Sequence, residues 1–262
     1  MAKVKASELG AVDAEVIKEE ANTLPSTKVE KTELSTVTAT DLSGSGVEGD
    51  LDLDDIRMPR VNLMQKSSKL VDETDFQPGQ ILLAREAVIA DRSKSVDVTV
   101  LHQKVQYQEK VEWGSDITPN VFNTKREVLA AGGSFEWGSD SYYQTIAHMT
   151  LLIRKPEHVD EQHDPLFPFH FKGEDYALAL YTVSSSGYTS AGKEVNTAAQ
   201  FYAKDGIWKL GWELSSELKK NSNNSWYVPI LKRTGRHDAE FVEFVESLGA
   251  AAKNATVDED VD

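Results

Sequence analysis

Residues 87–113, AVIADRSKSVDVTVLHQKVQYQEKVEW, contain the clearest β-strand pattern of the chain. Apolar side chains alternate with polar ones from Val96 onward, and the alternation changes phase at Leu101-His102. Alternation with a period of two is typical of a strand that buries one face, and a change of phase is typical of a β-bulge. The stretch therefore predicts one long strand with a bulge, or a hairpin that turns at Asp91-Arg92-Ser93.

Further short segments carry strand patterns separated by turn residues. They are ILLA after the turn Pro78-Gly79, the run Thr145–Arg154, the run Tyr176–Ser184, and the pair IWKLGW and SWYVPILKR around the loop KKNSNNS. Many short strands joined by Gly, Asn and Ser turns are typical of a β-sandwich or β-barrel. We therefore expect a mainly β fold.

Two segments favour helices. Asn196–Lys204 is rich in Ala and Gln, and as a helix it would place Gln200 and Lys204 on one face. The second segment follows Asp238, a capping residue, and should end at Gly249. Its apolar stripe consists of Phe241, Val242, Phe244, Val245 and Leu248.

Composition divides the chain into four parts. Residues 1–50 lack aromatic side chains and are acidic, so we expect them to be disordered, because they cannot bury enough apolar surface to offset the entropy of ordering. Residues 51–236 form the predicted β-rich domain and 237–253 an amphipathic helix. Residues 254–262 end in VDEDVD, an acidic tail.

The charge of the chain lies in its ends. The formal net charge is −15, yet residues 81–236 hold 18 basic and 19 acidic side chains. There is no cysteine, which excludes disulfides and thiolate chemistry. No apolar run approaches the length of a membrane span. These features predict a soluble cytoplasmic protein whose acidic ends do not argue against a nucleic-acid ligand.

The stretch Lys193–Arg236 is basic within this acidic chain, with eight cations against four carboxylates and six interleaved aromatic residues. Cations can follow a phosphate backbone, and aromatic faces can stack on unpaired bases. The pattern therefore favours single-stranded nucleic-acid binding, although such aromatics are also common as core residues of ordinary strands. The candidate site residues are Lys193, Tyr202, Lys204, Trp208, Lys209, Trp212, Lys219, Lys220, Trp226, Tyr227, Lys232 and Arg233. Because strand side chains alternate, about half of the aromatics should face inward.

The pentapeptide EWGSD occurs twice, at Glu112–Asp116 and Glu136–Asp140. We favour two equivalent strand ends, in which Trp packs and Gly-Ser-Asp turns. The alternative is a pair of Trp platforms beside a mobile loop, Ile117–Ser134, which would bring Lys125 and Arg126 into the site, with Tyr188 as a further member.

No sequence motif predicts a catalytic or metal site. Three of the six histidines fall in HVDEQHDPLFPFH, but their spacing matches no compact metal-ligand template. No phosphate-binding loop, dinucleotide fingerprint or nucleophile elbow is present. We therefore expect a binding protein without cofactor or metal rather than an enzyme.

The order of IRMPRVNLMQ, PGQILL, ALYTVSSSGYTSAGKEVNT and WKLGWELSSELKKNSNNSWYVP resembles the single-stranded DNA-binding and replication-accessory proteins of tailed bacteriophages. The resemblance covers roughly residues 55–236. It implies an OB-like barrel that supports phage DNA replication or recombination in the host cytoplasm. It also implies an acidic tail that docks replication proteins, although this tail lacks the terminal aromatic residue of some relatives. The alternative function is a phage structural or protein-interaction module without nucleic-acid binding.

Overall fold

The structure is a computed structural model that describes residues 58–112 and 116–253. The predicted N-terminal disordered segment and the acidic tail lie outside these residues. Antiparallel strands dominate the described part, which confirms the prediction of a mainly β fold. No helix among these residues combines the length and the apolar character needed to cross a membrane.

A small three-stranded sheet is formed by the first strands in the order β1-β2-β3. Its strands are β1 (Val61–Leu63), β2 (Ile81–Leu83) and β3 (Ala87–Ala90). A short helix, α1 (Lys69–Glu73), precedes the predicted turn at Pro78-Gly79. Gly79 has a left-handed φ of +94° and leaves no room for a Cβ against the Tyr227 ring, so only glycine fits there.

A seven-stranded antiparallel sheet contains the rest of the β structure. Its strands are β4 (Val96–Glu109), β5 (Val121–Phe122), β6 (Tyr143–Arg154), β7 (Phe169–Phe171), β8 (Glu174–Ser184), β9 (Leu210–Lys220) and β10 (Ser225–Arg236). The order is β10-β9-β4-β6-β8-β7, and β5 pairs with the end of β4.

The long strand β4 has the predicted bulge, because its register with β6 shifts between Val100 and His102. The alternative of a hairpin at Asp91–Ser93 is wrong. The chain does turn there, but β3 pairs with β2 in the small sheet whereas β4 pairs with β6 and β9 in the large one.

The two sheets are not closed into a barrel by main-chain pairing of the described residues. One isolated parallel bridge joins Arg60 to Leu180 of β8. On the other side, the Gln65 side-chain amide donates to the Tyr227 carbonyl and accepts from the Tyr227 N–H, both at 2.9 Å. A side chain therefore takes the place of a strand partner at the edge of β10.

Each face of the large sheet has its own hydrophobic cluster. The first face packs on the small sheet and on α4 (Lys193–Phe201), with Val195 and Ala198 of α4 fully buried. The second face packs on α5 (Ala239–Lys253) through Phe241, Phe244 and neighbouring apolar side chains. Both faces of the large sheet are thus covered. A surface for a ligand must therefore lie on the helices, at the edges of the sheets or at the ends of the strands.

The helices differ from their predicted bounds. The helix α4 begins three residues earlier than predicted and ends at Phe201, so Lys204 lies beyond it. It continues α3 (Ser185–Gly187) and a π-helical turn, Tyr188–Gly192. The predicted cap of α5 is confirmed, because Asp238 Oδ1 accepts the Phe241 N–H at 2.7 Å. Gly249 does not end α5, since the alanines after it favour helix.

Candidate nucleic-acid interface

The hairpin of β9 and β10 separates the basic and aromatic stretch into two faces. Trp212 pairs with Arg233, and the next pair is Glu213 with Lys232. Neighbouring positions along a strand point to opposite faces, so Arg233 and Lys232 lie on opposite sides of the sheet. The candidate residues therefore do not share one surface.

Trp212 is a core residue and is removed from the candidate stacking residues. Its side chain is 1% exposed and packs in the cluster between the two sheets. Leu210 and Leu214 on the same face are buried as well. The alternation of Leu210, Trp212 and Leu214 was the sequence signal for this inward position.

Trp208 is half-covered and is not an open stacking platform. Its Nε1 donates to Glu246 of α5 at 3.1 Å, and its ring packs beside the cluster under that helix. A Cβ at Gly206 would come within 2.5 Å of the indole. One side of the ring therefore lies against backbone and the indole edge against α5.

Three of the candidate lysines are paired with carboxylates. Lys209 Nζ lies 3.3 Å from Asp205, Lys219 Nζ 2.6 Å from Glu217, and Lys232 Nζ 4.0 Å from Glu213. Arg236 also binds Asp205, at 2.6 Å, and together with Lys209 it lowers the Asp205 pKa to about 2. These exposed pairs are weak, but they reduce the cationic charge that the lysines offer to a phosphate.

The exposed Tyr202 is brought together with the half-buried Arg233. The Arg233 guanidinium lies 3.7 Å from the centroid of the Tyr202 ring. The Tyr202 side chain is 53% exposed, and Phe201 beside it is 70% exposed. Large apolar side chains at such exposure are candidates for contact with a ligand. Lys204 lies two positions after Tyr202 and forms no ion pair with a described residue.

The solvent side of α4 connects this group to the start of the helix. Lys193, Thr197 and Gln200 all point outward, whereas Val195 and Ala198 point into the core. Along a helix of nine residues, Lys193 and Phe201 are about 12 Å apart. We call the exposed and half-buried residues of this surface the α4 strip: Tyr188, Lys193, Phe201, Tyr202, Lys204 and Arg233.

A second aromatic group extends the α4 strip toward the end of β4. Tyr107 and Phe135 meet edge-to-face with centroids 5.4 Å apart, and Lys125 Nζ lies 5.7 Å from the Phe135 ring. Burial raises the pKa of Tyr188, and the nearby Tyr107 raises it further. Asn196 of α4 donates to the Tyr188 hydroxyl at 3.2 Å.

Tyr107 and Phe135 were not among the residues predicted for the site. The polar alternation along β4 placed Tyr107 on one face but did not say what covered it. The predicted mobile loop around Lys125 is wrong, because β5 and the helix α2 (Lys125–Ala130) occupy it. A capping box of Thr124 and Glu127 starts α2. Arg126 is exposed on this helix.

Trp226 and Tyr227 lie at the far end of the hairpin, separately from Tyr202. Six residues separate Tyr227 from Arg233 along β10, which corresponds to roughly 20 Å. Trp226 Nε1 donates to Ser186 Oγ at 3.0 Å. Both residues line a cleft of about 970 Å³ between β1, β8 and β10. Lys220 is exposed at the nearby end of β9.

The second EWGSD copy presents its tryptophan to solvent. Trp137 is 76% exposed, with Lys110 Nζ 4.3 Å from its ring centroid. Gly138 turns with a φ of +88°. The predicted turn is confirmed for this copy and the predicted packing of its tryptophan is wrong. Residues 113–115 of the first copy lie outside the described residues.

The histidine-rich stretch gathers no cluster of metal-ligand side chains within the described part of the chain. His158 contacts the Val88 carbonyl at 3.0 Å, and His170 contacts Asp175 at 2.5 Å. These two rings thus contact different neighbours, and His163 Nδ1 has no hydrogen-bond partner among the described residues.

Two other histidines predict a pH dependence of stability. Burial lowers the pKa of His148, helped by Lys104 and Arg60, and burial also lowers the pKa of His237. The unfolded chain, with a His pKa of about 6.5, therefore binds more protons than the folded chain as the pH falls. We expect the urea midpoint to decrease between about pH 7.5 and about pH 5.5. The variant H148Q/H237Q should show a flatter profile, and an unchanged profile would contradict the assignment.

The comparisons with known proteins assign the chain to no group. No family model matches the sequence, and neither a curated protein nor a solved structure matches it.

Proposed function

We propose that the protein binds single-stranded DNA along the α4 strip. The observation that carries the proposal is the stack of the half-buried Arg233 guanidinium on the exposed ring of Tyr202, next to the exposed ring of Phe201. Aromatic faces bind unstacked bases with little regard to their identity, and a neighbouring arginine adds a cation–π contribution. Such an arrangement suits a flexible strand whose bases are accessible.

The charges along the α4 strip support the same ligand. Lys193, Lys204 and Arg233 have no ion pair among the described residues, and Asp205 is occupied by Lys209 and Arg236. The exposed carboxylate on the solvent side of α4 is Glu194. The strip therefore carries an excess of positive charge although the chain as a whole is acidic, and phosphate contacts supply most of the affinity in non-specific binding.

The proposal also includes the OB-like fold, the role in phage replication and the tail partner that the resemblance to phage proteins implies. The linkage of the two sheets by the Arg60–Leu180 bridge and the Gln65–Tyr227 hydrogen bonds supports the proposal of an opened OB-like barrel. The function would be that of a phage replication or recombination accessory protein, with the acidic tail meeting a replication protein.

Binding of oligo(dT) at two salt concentrations tests the proposal. The probe is a labelled oligo(dT) of about 20 nucleotides, longer than the roughly 4–16 that one OB fold covers. Three phosphate contacts on a single strand predict a logarithmic slope of about −2, hence a loss of about 20-fold between about 50 and about 200 mM salt. Fluorescence anisotropy measures the affinity. A blunt duplex of equal length is the control and should bind more weakly; absence of binding at low salt would refute the proposal.

A second function, docking of another protein, is favoured by residues 117–137, which we call the tip and which include β5, α2 and the loops on either side of them. Three of the five large apolar side chains that are strongly exposed among the described residues lie there: Ile117, Leu129 and Trp137. Exposed apolar side chains grouped in this way mark protein contacts. The double variant L129S/W137S would abolish a protein contact at the tip while leaving oligo(dT) binding intact.

A further inference from the structure

The cleft of about 970 Å³ lies where the two sheets fail to close. Its floor contains Tyr181 and Val183 of β8, and its walls come from β1, from the start of α3 and from the start of β10. We call it the seam cleft. Its volume is that of a site for a small organic ligand.

The charge of the seam cleft sets it apart from the rest of this acidic chain. No Asp or Glu is present among the described residues that line it, although the chain contains 43 acidic residues. Lys66 is its cation. By contrast, the cavity between α5 and the large sheet is lined by four carboxylates, Asp97, Glu174, Glu213 and Asp238, and by two cations, Arg154 and Lys172. A lining without carboxylates favours a ligand that is itself negatively charged.

Two aromatic residues border the cleft, and both have rings with fixed positions. The indole of Trp226 is held by its hydrogen bond to Ser186 Oγ at 3.0 Å. The Tyr227 ring lies against Gly79, where a Cβ would come within 2.5 Å of it, and the main chain of Tyr227 is held by Gln65. Rings held in this way lose little entropy when a planar group stacks on them.

Polar groups of β1 and β8 border the same space. Asn62 lines the cleft, and its Oδ1, which is shielded from solvent, has no hydrogen-bond partner among the described residues. The Leu180 N–H donates to the Pro59 carbonyl at 2.8 Å, so it points away from β6. Since main-chain groups alternate along a strand, those of Thr182 and Ser184 point in the same direction, along the edge of β8 that borders the cleft. These donors and acceptors can bind the edge of a base.

We propose that the seam cleft holds one nucleotide unit of the bound strand, an inference that rests on the proposed function. The base inserts beside Trp226 and is bound by Asn62 and the open edge of β8, and its phosphate lies toward Lys66. The α4 strip then binds the strand through contacts that do not depend on its sequence, whereas the seam cleft contacts the edge of one base.

Converting Asn62 to a carboxylate tests the seam cleft with little change of shape. We expect N62D to weaken oligo(dT) binding by about tenfold or more, since one stacked and hydrogen-bonded base contributes that much. The matched control Q162E makes the same change of an amide to a carboxylate on an exposed surface of the 3-10 helix Glu161–Leu166, and its affinity should equal that of the wild type. Oligo(dT) should also slow hydrogen exchange at residues 182–186.

The outcomes separate this inference from the proposed function. If wild-type protein binds oligo(dT), Arg233→Ala weakens binding, and N62D binds like Q162E without protection at 182–186, the cleft assignment is overturned and the function stands. If wild-type protein binds no oligo(dT) at low salt, both the proposed function and the binding of a DNA strand in the seam cleft are refuted. Titration with thymidine 5′-monophosphate then decides whether the cleft takes a free nucleotide, which N62D should abolish.

Discussion

Replacing Arg233 with alanine will weaken oligo(dT) binding by about tenfold or more. The change removes a cation that can contact a phosphate and also the group that covers the Tyr202 ring. A stacked base contributes about 1–3 kcal/mol, and one phosphate contact contributes about one unit of the salt slope. Anisotropy titrations at several salt concentrations should therefore show both a lower affinity and a shallower slope.

Lys232 provides a matched control, because it is the next residue on the same strand and faces the opposite side of the sheet. It is exposed and lies 4.0 Å from Glu213. Lys232→Ala removes one positive charge as well, yet its affinity should stay within about twofold of wild type, since screened surface charges act weakly beyond a Debye length of about 8 Å. Equal losses in the two variants would show that net charge, not the α4 strip, determines binding.

Variants of Tyr202 distinguish the contribution of base stacking to the affinity from the contribution of charge. Tyr202→Phe retains the ring under Arg233 and should bind like wild type, whereas Tyr202→Ala should lose about as much affinity as one stacked base provides. A Tyr202→Ala protein of unchanged affinity would mean that Arg233 acts as a cation alone. The ring is 53% exposed, so neither change should affect folding strongly.

The β structure could be predicted because it depends on local alternation. The inward face of β4 was indicated by the alternating Val96, Val98 and Val100. Its bulge was indicated by the change of phase at Leu101-His102. Strand pairing could not be predicted, since it depends on contacts distant in sequence. The turn at Asp91–Ser93 has hairpin residues, yet the strands on its two sides belong to different sheets.

The kinds of residue in the candidate site could be predicted from the sequence, but their positions relative to one another could not. Sequence places Trp208, Trp212 and Trp226 near many cations, but it does not show that α5 covers Trp208 through Glu246. Tyr202 and Arg233 are 31 positions apart and meet only because α4 lies across the face on which Arg233 sits. Asn62 and Trp226, which line the same cleft, are separated by most of the domain.

Replacing Trp212 with alanine will destabilise the protein by about 3–5 kcal/mol, the usual cost of removing a large aromatic side chain from a packed core. The side chain is 1% exposed and packs between the two sheets. Its Nε1 has no partner among the described residues, so Trp212→Phe removes an unpaired polar group and should cost much less. Trp137→Ala is the matched control: the ring is 76% exposed and contacts Lys110 and the edge of the Tyr142 ring, each contact contributing about 0.5–1 kcal/mol. Urea unfolding followed by circular dichroism measures all three. A Trp212→Ala protein as stable as the Trp137→Ala protein would place the indole outside the core and return it to the candidate stacking residues.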